Sequence, residues 1–282
     1  MNLKLSIVIV NLNTKDLTVG CIRSIEKEAR DLHFEVLLTD NGSNDGSVEA
    51  FKKIKEEKYW KSRFTLILND RNTGYAKANN QGIRRAKGKY IFLLNNDTVV
   101  HEYALQNLID FADKNLADKN PDAGVVGSRL LNIDGSLQSS CYHFPTITNA
   151  IKEYLFGQKG LFEKFAPNGN KAVIVDSVVG AAFLITPKAR KLVGMLDERY
   201  FAYFEDIDYC RQVFKNGLKV YYLPNSVITH YHGATFKKLA DDGQRWKKLI
   251  PSSITYHGFL KHYLLYIILW TGQKWQKITK SQ

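Results

Sequence analysis

The first hundred residues alternate between short apolar runs and helical patterns, with a polar loop after each run. This alternation restricts the fold more than any other feature of the chain. Ser6 to Val10 is a β-branched run, Leu17 to Ala29 carries apolar residues at helical spacing, and Phe34 with Val36 to Leu38 forms the apolar part of a second strand over 33–39. A helix from Ser47 to Lys58 with Ser47 as its cap, a strand from Phe64 to Leu68, a helix from Ala76 to Ala86 and a strand from Tyr90 to Leu94 follow. Strands that alternate strictly with helices are joined by crossovers, and crossovers make neighbouring strands parallel. The fold class is therefore α/β, with a mainly parallel central sheet flanked by helices. The polar loops 11–16, 40–46, 72–79 and 95–98 are expected to gather on one edge of that sheet, the edge where open α/β sheets bind ligands.

The last of these loops carries the clearest chemical signal. Asn95-Asn-Asp97 follows at once on the buried run Tyr90 to Leu94. A carboxylate at the end of a buried strand is held at a cleft edge, and a hard oxygen ligand there suits Mg²⁺ or Mn²⁺ together with substrate phosphates. The same three residues are good turn chemistry, and this stretch alone allows either reading.

The second half is less regular. It predicts a helix from Glu102 to Asn115, a strand from Ala123 to Leu131 with a turn at Asp134-Gly135, and a mobile connection from Thr146 to Asn170. Val173 to Ile185 is apolar and β-branched around Gly180. A short helix from Pro187 to Val193 and one from Phe204 to Asn216, closing at Gly217, come next. Two short strands, Lys219 to Leu223 and Ser226 to Thr229, end in His230-Tyr-His-Gly.

Charge narrows the partners. A net charge of +12 over 282 residues fits an anionic substrate, an anionic membrane surface, nucleic acid, or solubility alone. No nucleic-acid motif accompanies it, so nucleic acid is not expected as a partner. From Lys237 onward the chain has nine Lys/Arg against two Asp, with the apolar segment Phe259 to Trp270 inside that tail. This pattern suits a helix lying on a bilayer, and equally a C-terminal helix packed on the domain with its basic face in water. No uninterrupted apolar run reaches the length of a membrane span, and the start lacks the features of a secretory leader. Cys21, Cys141 and Cys210 are scattered without metal spacing, as expected of free thiols in a reducing compartment. A cytoplasmic location follows as the expectation. The glycine fingerprints of dinucleotide enzymes and P-loop NTPases are missing.

Taken in order, Ser6-Ile-Val-Ile-Val-Asn-Leu-Asn-Thr, Thr39-Asp-Asn-Gly-Ser-Asn-Asp-Gly-Ser, Asn72-Thr-Gly-Tyr-Ala-Lys-Ala-Asn-Asn-Gln-Gly, Leu94-Asn-Asn-Asp, Val179-Gly-Ala-Ala-Phe, Asp197-Glu-Arg-Tyr-Phe-Ala-Tyr-Phe-Glu-Asp-Ile-Asp, and His230 with Gly233 and Thr235 resemble a family 2 glycosyltransferase of the GT-A fold, in the branch of the bacterial rhamnosyltransferases. The resemblance covers roughly residues 3–236. It implies a GT-A domain over 1–236, with a nucleotide-binding half (1–100) and an acceptor-side half (101–236), followed by a basic amphipathic helical extension over 237–282.

The resemblance implies an inverting transfer from a UDP- or dTDP-sugar, with dTDP-rhamnose foremost, to a glycan or lipid-linked acceptor. Asp40 at a strand end can accept the N3–H of a uracil or thymine ring, with Asn11, Asn13 and Ser43 as supports for base and ribose. Lys77, Asn79 and Asn96 are further donor-side candidates. Asp97 is the candidate metal ligand, although Asn95 replaces the first Asp of the family's Asp-x-Asp motif. His230 would add a ligand that favours Mn²⁺ over Mg²⁺, with His232 as its rival. Asp206 takes the role of general base, and Gly180, Ala181, Tyr203 and Glu205 lie on the acceptor side. Tyr200, Phe201, Tyr203 and Phe204 could stack on a sugar or pack in the core. Asp208 is assigned to structure, and all three acids of the helix could serve its dipole alone. The alternative to an enzyme is a nucleotide-sugar-binding module or partner subunit without turnover, against which the Asp206 base argues. The extension could meet the inner face of the cell membrane.

Overall fold

The computed structural model describes residues 3–29, 32–118, 121–231 and 242–280. Its first part is a repeated strand–helix unit: β1 (Leu5–Asn11), α1 (Lys15–Glu28), β2 (Phe34–Asp40), α2 (Ser47–Glu56), β3 (Phe64–Leu68), α3 (Tyr75–Arg85) and β4 (Tyr90–Leu94). β1 pairs in parallel with both β2 and β4, and β2 with β3. Along β1, Leu5, Ile7 and Ile9 join one apolar cluster while Val8 joins another on the opposite sheet face. Burial on both faces is why the strand is a continuous apolar run rather than an alternating one. Ser47 is the first residue of α2, not its cap. Asp45 Oδ1 accepts its N–H at 3.1 Å.

The remaining elements are β5 (Thr98–Val100), α4 (Ala104–Ala117), β6 (Ala123–Leu131), β7 (Leu137–Gln138), β8 (Cys141–Tyr142), α5 (Ile147–Tyr154), β9 (Val173–Val175), β10 (Ser177–Val178), β11 (Ala182–Ile185), α6 (Pro187–Leu192), α7 (Glu205–Lys215), β12 (Lys219–His230), α8 (Asp242–His257) and α9 (Phe259–Lys280). The main sheet runs β3-β2-β1-β4-β11-β6-β12-β5. Parallel pairing holds through the first four strands. β11 then lies antiparallel to both β4 and β6, and only β6 with β12 returns to parallel. The chain order reverses between β1 and β4, so their C-terminal ends open the crevice in which a ligand fits.

Two expectations in the second half change. The strands predicted at Lys219 to Leu223 and Ser226 to Thr229 are one strand, β12, whose register with β6 shifts between Leu223 and Val227, where Pro224 lies. Proline cannot donate to the ladder and is tolerated at such an irregularity. The connection from Thr146 to Asn170 contains α5, capped by Thr146, whose hydroxyl accepts the Asn149 N–H at 3.1 Å. The helix buries Ala150 against Leu265 and Ile268 of α9, a partner more than a hundred residues away. α9 thus packs on the domain through one face. The expected boundary at 236/237 falls outside the described residues.

Candidate active site

All four polar loops reach one cavity of about 630 Å³. Leu12, Asn41, Asn72, Gly74, Tyr75, Asn95, Asn96 and Asp97 line it from the first half; Gln138, Tyr142, Lys164, Gly180, Ala181, Tyr203, Glu205, Asp206 and His230 line it from the second.

Behind the cavity, the loops are tied by buried amides. Asn11 donates to Asp40 Oδ2 at 2.8 Å and to Ser43 Oγ at 3.0 Å. Asp40 Oδ1 accepts the Ser43 N–H, and Ser43 Oγ accepts the Asn13 N–H, both at 2.9 Å. The four residues expected around the base therefore form one network. Asp40 is almost fully buried and each of its oxygens already holds one donor, so neither Asp40 nor Asn11 lines the cavity. Asn96 lines it, but its Nδ2 turns back to Thr14 Oγ1 at 2.5 Å and Thr18 Oγ1 at 2.7 Å. Lys77 is exposed and Asn79 is buried, its amide donating to the Tyr75 carbonyl at 3.0 Å; neither lines the cavity. The neighbouring Asn41 and Tyr75 do. Asn41 joins the second loop to the third, donating to Asn72 Oδ1 at 2.9 Å and accepting the Thr73 N–H at 3.0 Å. The Tyr75 hydroxyl donates toward Asn95 Oδ1 at 2.9 Å and the Gly180 carbonyl at 3.0 Å, bridging the two halves.

Asp97 and His230 come together. His230 Nε2 lies 3.3 Å from Asp97 Oδ1 and 3.3 Å from Asn95 Nδ2, and its Nδ1 lies 2.8 Å from Gln138 Oε1. The Gln138 amide nitrogen donates to the His230 carbonyl and to Asn132 Oδ1. Its oxygen must therefore face the imidazole as an acceptor, and the proton sits on Nδ1. In the neutral imidazole this leaves the lone pair on Nε2, beside a carboxylate. This is the arrangement in which an outer partner fixes the tautomer of a metal-binding histidine. Cis ligands at about 2.1 Å from an octahedral ion stand about 3.0 Å apart, close to the spacing seen, so the pair fits one divalent cation. Among the described residues no group of three or more His, Cys, Asp and Glu is placed to hold a metal. The other positions would fall to phosphate oxygens and water. The rival His232 lies outside the described residues, as do Gly233 and Thr235.

In the second half, the left-handed residues Tyr203 (φ 70°) and Phe204 (φ 71°) precede α7. Consecutive non-glycine residues in this region are strained, and such strain persists only where the surroundings hold it. It turns Glu205 and Asp206 into the cavity. Gly74 supports the segment from below: a Cβ there would stand 2.8 Å from the Phe201 carbonyl oxygen, which accepts the Tyr75 N–H at 2.7 Å. Asp206 Oδ2 accepts the Gly180 N–H at 2.9 Å and Oδ1 the Ile207 N–H at 2.8 Å. Burial raises its proton affinity, while those two N–H groups and Lys164 oppose the rise. Burial, reinforced by the Asp206 charge, pushes Glu205 up to about 8, and its buried Oε2 has no hydrogen-bond partner. Burial thus pushes both carboxyls toward their protonated forms, with two N–H groups held by Asp206 and no hydrogen bond reaching Glu205 Oε2. Asp208 accepts from Arg211 within α7. Tyr200 is buried outside the cavity, whereas Phe201 and Phe204 line it with Tyr203. Lys164 and Lys248 reach the lining with Nζ over the Tyr142 and Phe201 rings, at 5.3 and 5.6 Å.

A family model described as Glycosyl transferase family 2 matches residues 6–174. The N-acetylglucosaminyl-diphospho-decaprenol L-rhamnosyltransferase of Mycobacterium tuberculosis is 26% identical over 250 residues, covering 75% of this chain and 76% of that protein. The dTDP-rhamnosyl transferase RfbF of Shigella flexneri is 24% identical over 237 residues, covering 83% of this chain and 71% of its own. Among solved structures, the mannosyltransferase PcManGT from Pyrobaculum calidifontis, in complex with GDP-Man and Mn²⁺, superposes with a TM-score of 0.62 at 16% identity, over 97% of this chain and 74% of that one. At that identity the likeness speaks to the fold, which is GT-A.

Proposed function

The chain belongs to glycosyl transferase family 2, and from that premise we propose that it is a divalent-metal-dependent, inverting hexosyltransferase of cell-surface polysaccharide synthesis. The donor is a UDP- or dTDP-sugar, with dTDP-rhamnose favoured by the names of the two rhamnosyltransferase relatives. The acceptor is a glycan or a lipid-linked sugar, and the enzyme works in the cytoplasm at the inner membrane face. A lipid diphosphate, as in the name of the mycobacterial relative, agrees with Lys164 and Lys248 in the cavity lining.

One observation carries the reading: a single cavity is lined both by an Asp97–His230 pair fit for a divalent cation and by a backbone-held Asp206. Asp97 and His230 would hold Mn²⁺, or Mg²⁺ less well. When bound, the ion stabilises charge on the departing diphosphate. Asp206 accepts the proton of the acceptor hydroxyl as that oxygen attacks the anomeric carbon from the face away from the nucleotide, so configuration inverts. Such a base contributes about 10²–10⁴-fold. Protonated Glu205 can donate a hydrogen bond to the acceptor. Gly180 positions Asp206, and Ala181 accepts the Asn95 N–H at 2.9 Å, which steadies the loop bearing Asp97.

The test is a thermal-shift panel of UDP, dTDP, GDP, ADP and CMP, each with and without Mn²⁺. Ligands that bind the native state raise its melting temperature by mass action. A metal-dependent rise with dTDP or UDP alone supports the reading and selects the donor class. No rise with any of them removes the donor assignment.

A further inference from the structure

Apart from Lys261 and His262 the segment from Phe259 to Trp270 is apolar, over more of its circumference than one packed face requires, and such a surface demands cover. α9 meets that demand on one side only. Leu265 and Ile268 are buried against α5. On the opposite face Phe259, Leu260, Tyr263, Ile267 and Trp270 are between 45% and 83% exposed. Their spacing places them in one stripe. An aromatic and aliphatic surface of this extent on a folded domain marks a contact site.

We propose that this outward face of α9 lies in the headgroup region of an anionic lipid bilayer. Charge supports that occupant. From Gly243 to Gln282 the chain has seven Lys/Arg and no Asp or Glu. A two-fold contact with a second copy would set like charge against like with no acid on this segment to offset it, whereas anionic lipid supplies the counter-charge. The side chains fit the same place. Trp and Tyr present an apolar body and a polar tip, as interfacial residues do. Lys274 Nζ stands 3.9 Å from the Trp270 ring centroid, one turn beyond the stripe. The apolar stretch is about 18 Å long at 1.5 Å per residue, too short to cross a bilayer and sufficient to lie in one. Among the described residues no helix is long and apolar enough to cross a membrane. α8, whose Lys248 and Leu249 line the cavity, leads directly into α9, so docking would present the cavity beside the lipid surface. The inference rests on this face and not on the donor or the reaction, so it can fail while the transferase reading stands.

The experiment is flotation of the full chain with vesicles of phosphatidylcholine alone and of equimolar phosphatidylcholine and phosphatidylglycerol, for wild type and the combined variant Leu260→Ser, Ile267→Ser, Trp270→Ser. These side chains are exposed, and retention of the far-UV CD spectrum and metal-dependent nucleotide binding checks the fold. Wild type is expected to float with the anionic vesicles, and the variant to partition about tenfold or more weakly. Brominated lipid should quench a fluorescence component that Trp270→Phe removes, a readout that does not depend on the triple variant folding. Failure of wild type to bind anionic vesicles, unchanged binding by a folded variant, or a stable dimer that the same substitutions dissolve in the absence of vesicle binding would each overturn the proposal.

Discussion

The two carboxylates that line the cavity are held in opposite ways. Asp97 stands at the end of the parallel sheet, just beyond β4, and its neighbourhood is set by side chains: Tyr75 on Asn95, and Gln138 on His230. Asp206 stands at the start of α7, and main-chain N–H groups of Gly180 and Ile207 hold it after two residues of strained backbone. The first corner extends a regular scaffold and is adjusted by replaceable amides. The second is built from backbone N–H groups, which outside Asp206 only proline at Gly180 or Ile207 would remove. Binding at one corner and proton transfer at the other should therefore respond to mutation separately.

The largest expected effect is at the backbone-held corner. Asp206→Asn should lower kcat by about 10²–10⁴-fold and leave the dissociation constant of the nucleotide unchanged, measured by single-turnover kinetics and calorimetry. Unchanged turnover would sink the base assignment. At the side-chain-held corner, Gln138→Ala frees the imidazole to change tautomer, and Mn²⁺ affinity in the presence of a nucleoside diphosphate should fall by about 10–100-fold by EPR titration, while the pH profile of kcat keeps its shape. Equal affinity would show that the tautomer lock is dispensable. Asn96→Ala removes an amide from Thr14 Oγ1, Thr18 Oγ1 and Asn11 Oδ1 and should cost about 1–3 kcal/mol of stability in urea titrations, separating support from contact.

The smallest effect concerns pH. Glu205 ionises near its ordinary 4.5 when unfolded and at about 8 when folded. Between those values the native state binds more protons than the unfolded one, so the stability that Glu205 contributes is present at acid pH and is lost as pH rises toward 8. Glu205→Gln should flatten that decline in urea midpoints measured from pH 5 to 8. An equal decline in the variant would place the proton elsewhere.

Much of the corner around Asp97 was legible in the sequence because its signals are local. The strands Phe64–Leu68, Tyr90–Leu94 and Ala123–Leu131 fall where the apolar runs lie, and the four loops meet because a parallel sheet puts all its strand ends on one edge. The pairing of Asp97 with His230 was legible only through the motif order that resembles the family, since nothing in either local stretch points to the other.

What the sequence by itself determined, then, is what near neighbours enforce: the strand–helix alternation, the sheet edge used, and the acidic residues that end or begin an element. Tertiary structure alone decided the rest. Gln138 has no motif and acts on His230 across 92 residues of chain. Asn41, rather than Asp40 beside it, reaches the cavity because the turn after β2 spends the Asp40 oxygens on Asn11 and Ser43. α5 exists within a stretch predicted as a loop because α9 covers it. The tail could read as packed or as membrane-facing because its helix has two apolar faces, and only folding assigns one of them to the domain. Periodicity reports that a surface must be buried; which distant surface buries it is a property of the whole packed chain.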